Sequence, residues 1–582
     1  MKRYSCLAAA GCVVTLGVIF LFLEPAQYFF GDSIAVLWGR PHSLGSLVKD
    51  FARLDGGHWY RPLSNSLPPF LLWPLFGMEF RPYHLVAIAL HTIFCIGLFE
   101  IFRRVLRDPL AAFVGAAFFA FHPIQFYATY DIAFYQDPMV TALTIASVFL
   151  GLQFIETGRR GFLVASLFIF LSALVSKETS VTMPGLLMLV LLGRPELCRL
   201  RSARIALIST GVIAAAFAFL YARVLGVTFR YQPGYRPRVG LNALSEAIRA
   251  LSWSFGIPSG YQTQGWHYPF GIHLGLWLLV AVIGGIAIAR PTSRVWLGIA
   301  WFLVATSPAF LTRALLPHHL YLGLAGIAYS VGQTVAWMRT RQAQQAWAPI
   351  FRRAASGLAA ASVTLIFCAA FLDARADATQ SWVGQSSLRI QSTADFVRAA
   401  KINIFKSRGI IADIEDAEYL RFDWMEGALF NLIGSDKLEV QLINWEPEDL
   451  PAGVDAVKYA GNSLHRIEAT ERLSSDASAA RPIPSTVAFH LTAGRVYAGR
   501  DSYCLNVPQF PGQMIDVKYH YNQRPASVAY SFARLDRNGT ACINVPASVP
   551  WGKVKVVGVR PSGSWRWYNA DAEIEVLPPF MW

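Results

Sequence analysis

Up to about residue 373 the chain alternates long apolar runs with short polar connections; beyond that the pattern stops. Apolar runs recur at 83–102, 109–126, 137–155, 161–176, 179–193, 205–224, 271–289, 295–312, 318–337 and 354–373. Their lengths approach the roughly 20 residues that a helix needs to cross a bilayer. An earlier run from Cys6 to Leu23 is too long for a signal-peptide core, and no small-x-small cleavage site follows it. It reads as an uncleaved helix, which brings the expected spans to about 11. The stretch 67–80, LPPFLLWPLFGMEF, is apolar but short and holds three prolines. It predicts an interfacial or re-entrant segment.

The rest of the chain has ordinary polarity. Residues 374–408 predict a stalk, and 409–475 mix apolar alternation with acidic turns, which predicts a small α/β unit. RPIP at 481–484 reads as a linker. From 485 to 578, segments such as IDVKYHYN, SVAYSFARLD and VKVVGVRP recur at strand spacing between turn residues. These predict a β-sandwich, with a hairpin turn at Asn538-Gly539. The expected division is 1–373 membrane domain, 374–480 stalk and α/β region, and 481–582 Ig-like β-sandwich.

Composition agrees. The chain is 54% hydrophobic and 15% charged, against about 25% charged for a soluble domain. The net charge of +14 does not form a nucleic-acid-binding stripe, because the basic residues lie between the apolar runs. Arg103, Arg104 and Arg107, then Arg159 and Arg160, then Arg194, Arg199, Arg201 and Arg204, then Arg290 and Arg294, and then Arg339, Arg341, Arg352 and Arg353 occupy alternate connections. The positive-inside rule places those connections and the N-terminus in the cytoplasm, with the C-terminal region outside. Cys504 and Cys542 are the only cysteines in that outer part. Both stretches end in Asn-Val-Pro, as paired strands entering similar turns would, so a disulfide is expected in an oxidising exterior.

The outer connections gather ionisable residues. The first carries Asp32, Tyr60 and Arg61; the second His122, Asp131 and Asp137; the third Lys177 and Glu178; the fifth Arg313, His318 and His319. Charges at span ends are costly unless paired or hydrated, so such a cluster points to a site. The chemistry that fits is transfer of a sugar from a lipid phosphate. A carboxylate takes the proton of the attacking hydroxyl, and cationic groups stabilise the departing phosphate. A single displacement inverts the anomeric centre. The acids and histidines could also ligate a divalent ion, but no H-E-x-x-H, C-x-x-C or D-x-D spacing indicates one.

Several motifs in this order resemble the GT-C class of polytopic glycosyltransferases. They are most similar to the O-mannosyltransferase branch that carries tetratricopeptide repeats. The residues that carry the resemblance are Gly31-Asp32, Tyr60-Arg61-Pro62-Leu63, Tyr83-His84-Leu85 with His91, His122-Pro123, Asp131 with Asp137, Ser176-Lys177-Glu178, and His319-Leu320-Tyr321-Leu322. They cover roughly residues 25–335. The chain departs from the family in three ways. Ser33 stands where a second acid is usual, a histidine stands where the late element carries Arg, and no 34-residue repeat follows the membrane part. The resemblance implies a polyprenyl-phosphate sugar donor and a protein, lipid or glycan acceptor on the outer face. Asp32 would be the base. Asp137, Asp131 and Glu178 are the other catalytic candidates. Arg61, Tyr60, His122, Lys177, Arg313 and His319 are the candidate substrate contacts. A transporter or flippase is the rival reading, but it predicts mid-membrane charges and a repeat between halves. An inactive scaffold displaying the β domain is a third.

Overall fold

The computed structural model describes residues 2–25, 28–52, 60–231, 240–255, 270–310, 315–340 and 348–399. Beyond these it describes the segments 409–411, 428–433, 441–443, 457–460, 463–466, 490–491, 495–497, 502–521, 528–544, 552–561 and 568–577. The chain forms two compact units. One holds Met1–Val224 with Gly234–Leu388, and the other Leu225–Pro233 with Arg389–Trp582.

The first unit is helical. Each expected apolar run contains a helix, from Lys2–Phe22 to Ala348–Gln380. Among the described residues, five helices are long and apolar enough to cross a bilayer: Phe80–Leu106, Ile132–Thr157, Arg201–Ala222, Gly271–Ala289 and Arg353–Gln380. Others are shorter than expected. The run 109–126 ends its helix at Ala120, because Pro123 cannot continue it, and resumes as the short turn Gln125–Ala128. The run 179–193 begins with a 3-10 turn, Glu178–Thr182, before the helix Met183–Gly193. The stretch 67–80 forms the helix Leu67–Phe76, with Pro74 inside it. At roughly 1.5 Å per residue it is too short to cross.

Local chemistry sets the ends of these helices. Asp108 caps the helix Pro109–Ala120 by accepting from the backbone N–H of Leu110 and Ala111. Its other oxygen accepts from Arg339 Nε at 2.7 Å, tying two basic connections together. The helices Trp296–Phe310 and Tyr321–Thr340 cross at Gly298 and Gly326. A Cβ on Gly298 would stand 2.2 Å from the Gly326 carbonyl oxygen, so only glycine permits this approach.

The expected boundary at 373 falls inside a helix. Ala348–Gln380 runs through it, and Trp382–Ala399 follows after a bend. Ser386 and Ser387 of that second helix are buried within the first unit.

The second unit contains an α/β sheet and two β-sheets. In the α/β sheet, Gly409–Ile411 lies between parallel partners Gln441–Ile443 and Val457–Ala460, and Ser463–Arg466 closes the edge in the antiparallel sense. A five-stranded sheet runs Arg495–Tyr497, Tyr568–Leu577, Gly552–Pro561, Met514–Tyr521, Val528–Arg534. A three-stranded sheet runs Thr540–Asn544, Ser502–Asn506, His490–Leu491. Alternate residues from both sheets, among them Tyr503, Leu505, Ile515, Val517, Val554, Val556 and Ile574, form one buried core. Cys542 stands directly opposite Cys504 in the antiparallel register, and a disulfide joins them. Asn538 lies in a tight turn where Asp536 accepts from the N–H of Asn538 and Thr540.

Candidate active site

The connections of the helical unit that carry Asp32, Arg61, Asp131, Asp137, Lys177 and Glu178 form two side-chain clusters, linked by the short segment from Asp131 to Asp137. The first cluster centres on Asp32. This residue sits on the first turn of the helix Gly31–Trp38, and three tethers hold that helix. Gly31 N–H donates to Ser386 Oγ at 3.0 Å, and Tyr28 N–H donates to Ser387 Oγ at 2.9 Å. Ser33 Oγ donates to Asp131. Asp131 in turn caps the 3-10 turn Ile132–Phe134 by accepting from Ala133 N–H at 3.0 Å. Phe30 stacks on Phe134 at 5.1 Å and meets Trp382 edge-on at 5.3 Å, closing the apolar side.

Asp131 is buried, whereas Asp32 keeps a water-accessible surface inside a protein-walled recess. The surrounding protein pushes the Asp32 carboxyl up to about 6. Burial pushes Asp131 up to about 7, against its hydrogen bonds from Ser33 and Ala133, and the Asp32 charge adds to the rise. Both carboxyls are thus held above the usual carboxylate range. An acid at position 33 would bring a further carboxylate against Asp131, where Ser33 instead donates a hydrogen bond.

The second cluster is ionic. Arg61 grips Glu178 with two nitrogens, Nε at 2.9 Å, and its Nη1 donates to Gln136. Tyr221 donates to the same carboxylate at 3.3 Å. Lys177 pairs with Asp137, and both side chains are almost fully buried. Two cations and two carboxylates thus balance. The backbone fastens this arrangement, since Leu63 N–H donates to the Val175 carbonyl at 3.2 Å and Ser64 Oγ to that of Ser176 at 2.6 Å. Burial works against the charge of Lys177 and lowers its pKa, while Asp137 supports the charge. Burial also opposes the charge on Arg61, but Glu178 more than restores it. Among the described residues, the buried Asp137 Oδ2 has no hydrogen-bond partner. The imidazole of His318 packs 5.0 Å from Phe134 and 4.5 Å from His319, within electrostatic reach of Lys177 and Arg61.

The candidates therefore separate. Asp32 and Asp131 come together, as do Arg61, Asp137, Lys177 and Glu178. Lys177 is committed to Asp137 rather than open to a phosphate. His122 is fully buried. Its Nδ1 accepts from Ile124 N–H at 3.2 Å, so the proton is on Nε2, which donates to the Ser254 carbonyl at 3.1 Å. With both nitrogens used by the backbone, His122 serves packing. Tyr60 donates to the Phe51 carbonyl at 2.8 Å. His319 is half-buried, and its Nδ1 accepts from Leu316 N–H at 3.3 Å. Arg313 lies outside the described residues. Gln136, Tyr221, Ser386 and Ser387 belong to the site without having been singled out. Gln136 adjoins Asp137. Ser386, Ser387 and Tyr221 lie far from the marked residues in sequence and carry no local signal. Among the described residues, no group of three or more His, Cys, Asp or Glu side chains converges as a metal site.

Comparison with curated protein sequences finds no match. Among solved structures, the apo oligosaccharyltransferase of Archaeoglobus fulgidus matches at 12% identity and a TM-score of 0.41. That match covers 73% of this chain and 64% of that one, so it spans less than two thirds of the archaeal protein. The same organism's AglB, in complex with an inhibitory peptide and a dolichol-phosphate, matches at 9% identity and a TM-score of 0.42, covering 100% of both chains. ArnT from Cupriavidus metallidurans, bound to undecaprenyl phosphate, matches at 13% identity and a TM-score of 0.40, covering 78% of this chain and 93% of that one. Residues 70–221 match the family described as dolichyl-phosphate-mannose-protein mannosyltransferase. This segment lies within the region that resembles the GT-C class, and it contains Asp131, Asp137, Lys177 and Glu178.

Proposed function

We propose that the chain is an integral membrane glycosyltransferase of GT-C type that moves a sugar from a polyprenyl-phosphate donor to an acceptor on the extracytoplasmic face. The observation that carries this reading is the setting of Asp32. It is a water-accessible carboxylate on a tethered helix, beside the buried Asp131 that Ser33 ties to the same helix. The family match over 70–221 supports the donor class. Asp32 takes the proton of the acceptor hydroxyl as its oxygen bonds to the anomeric carbon. The bond from that carbon to the lipid phosphate oxygen breaks, the phosphate leaves with the electron pair, and the centre inverts. His319, Tyr60 and Arg313 are the proposed donor contacts, while the Arg61–Glu178 and Lys177–Asp137 pairs hold the second cluster together. The N-terminus is cytoplasmic and the second unit extracytoplasmic, as the Arg-rich connections require.

The test uses the full chain in nanodiscs with polyprenyl-phosphate sugars. Asp32→Asn keeps size and polarity but cannot take a proton. Transfer should fall at least about 100-fold, the lower range for loss of a general base, while donor binding persists. Near-normal turnover by a folded Asp32→Asn protein would remove Asp32 from the mechanism.

A further inference from the structure

The helix that carries Asp32 lacks a good start in its own sequence. Phe30 stands at its N-cap position, where Ser, Thr, Asp or Asn is usual, and it supplies no side-chain cap. The first N–H groups of a helix have no carbonyl within that helix to bond. One of them, that of Gly31, donates to Ser386 Oγ, so the missing cap comes from a residue 355 positions away. Ser387 fastens the residue two positions before the cap. Its Oγ accepts from the Tyr28 N–H at 2.9 Å and donates to the Tyr28 carbonyl at 2.9 Å. A hydroxyl does both at once, and an alanine methyl does neither. Both serines are fully buried, where a hydroxyl is costly unless it is bonded.

The turn before the two serines sets where they stand. Ser381 Oγ donates to the Asp377 carbonyl at 2.6 Å and accepts from the Gly384 N–H at 3.1 Å. A Cβ on Gly384 would stand 2.3 Å from the Asp377 carbonyl oxygen, so the bend into the helix Trp382–Ala399 closes this tightly only with glycine there. Neither serine lies in the segment 70–221 that matches the family. We propose that Ser386 and Ser387 are positioning residues for sugar transfer, fixing the backbone from Tyr28 to Gly31 and thereby holding the Asp32 carboxylate where it meets the acceptor hydroxyl. This role rests on Asp32 being the base. The serines move no proton themselves. They act through geometry, and a misplacement of about 1 Å costs up to about 100-fold in rate.

The experiment compares the full chain in nanodiscs with Ser386→Ala, Ser387→Ala, the double change and Asp32→Asn. It reads hydrogen exchange of the amides of residues 28–34, binding of undecaprenyl phosphate as a probe, and transfer from a donor that the unaltered chain uses. Exchange at 28–34 should quicken about tenfold in each serine variant, while the helix Phe80–Leu106 keeps its protection. The kcat should fall about tenfold for Ser386→Ala and further for Ser387→Ala, which loses two bonds, with the Kd and stoichiometry of undecaprenyl phosphate unchanged. A loss of stoichiometry matching the loss of rate would make the serines merely structural and overturn the proposal. Unchanged exchange at 28–34 in the double variant overturns the anchoring. Faster exchange with full kcat, alongside an inactive Asp32→Asn protein, overturns the positioning role and leaves the base reading in place. Near-normal turnover by Asp32→Asn removes the base reading, and the positioning role with it, before either serine is changed.

Discussion

The pH dependence of transfer tests the Asp32 assignment most directly. An aspartate at its ordinary pKa of about 3.9 would be more than nine-tenths ionised at both pH 5 and pH 7, so a base of that kind gives a flat profile there. The recess pushes Asp32 up to about 6. The ionised fraction is then about one tenth at pH 5 and about nine tenths at pH 7, so kcat/KM should rise about tenfold across that interval. Asp131 is pushed up to about 7, and the two acids must be read as macroscopic steps of a pair. Asp131→Asn should leave a single step, since only Asp32 of the two then titrates. The assay is initial-rate transfer to a fixed acceptor from pH 4.5 to 8.5, with thermal unfolding run in parallel to keep loss of fold apart from loss of charge. The sign for stability is opposite. Raised carboxyl pKa values contribute stability at low pH and lose it as pH rises through about 6 to 7. A fall in rate at pH 5 therefore cannot come from these two groups destabilising the fold. A flat rate between pH 5 and pH 7 would refute the role of Asp32.

Other outcomes follow from the paired charges and the disulfide. Lys177→Met strands the Asp137 carboxylate in a buried site and should cost about 3–5 kcal/mol, whereas the double change with Asp137→Leu should recover most of that; thermal denaturation in detergent compares them. Arg61→Lys cannot reproduce the two-nitrogen grip on Glu178, so it should lower transfer while the pH step stays near 6. Cys504 and Cys542 should label with a thiol reagent only after reduction, and opening the bond should lower the stability of the β region by about 3–4 kcal/mol; full labelling of denatured, unreduced protein would exclude the bridge.

Periodicity and charge made much of the fold legible in the sequence. Apolar runs mark where helices lie, because a bilayer demands continuous apolar length. They do not mark where helices stop: the turn at Pro123 and the 3-10 start at Glu178 depend on backbone geometry within otherwise apolar stretches. Strand alternation was readable in VKVVGV, where Val554, Val556 and Val559 face the core. The step from Val556 to Val559 crosses an irregularity in pairing that alternation alone does not reveal. In the candidate site, residue type marked Asp32, Asp137 and Lys177, because charges beside apolar runs stand out. Partnership was less visible. Ser33 looked like a missing acid, yet it is the donor to an acid 98 residues away. His122 looked like a ligand, yet two backbone groups occupy it.

The tethers of the Asp32 helix also set an order of assembly. Gly31 and Tyr28 are fixed by Ser386 and Ser387, which follow them by 355 and 359 residues. At about 5–20 residues per second of synthesis, the segment carrying Asp32 waits roughly 20–70 seconds for its anchors to be made. During that interval Ser33 can meet Asp131, but the opposite side of the helix has no partner. A ribosome-bound chain ending before residue 386 should therefore hold its inserted helices and still lack a fixed Asp32. Transfer competence would arise late and in one step, when the last helix of the unit docks.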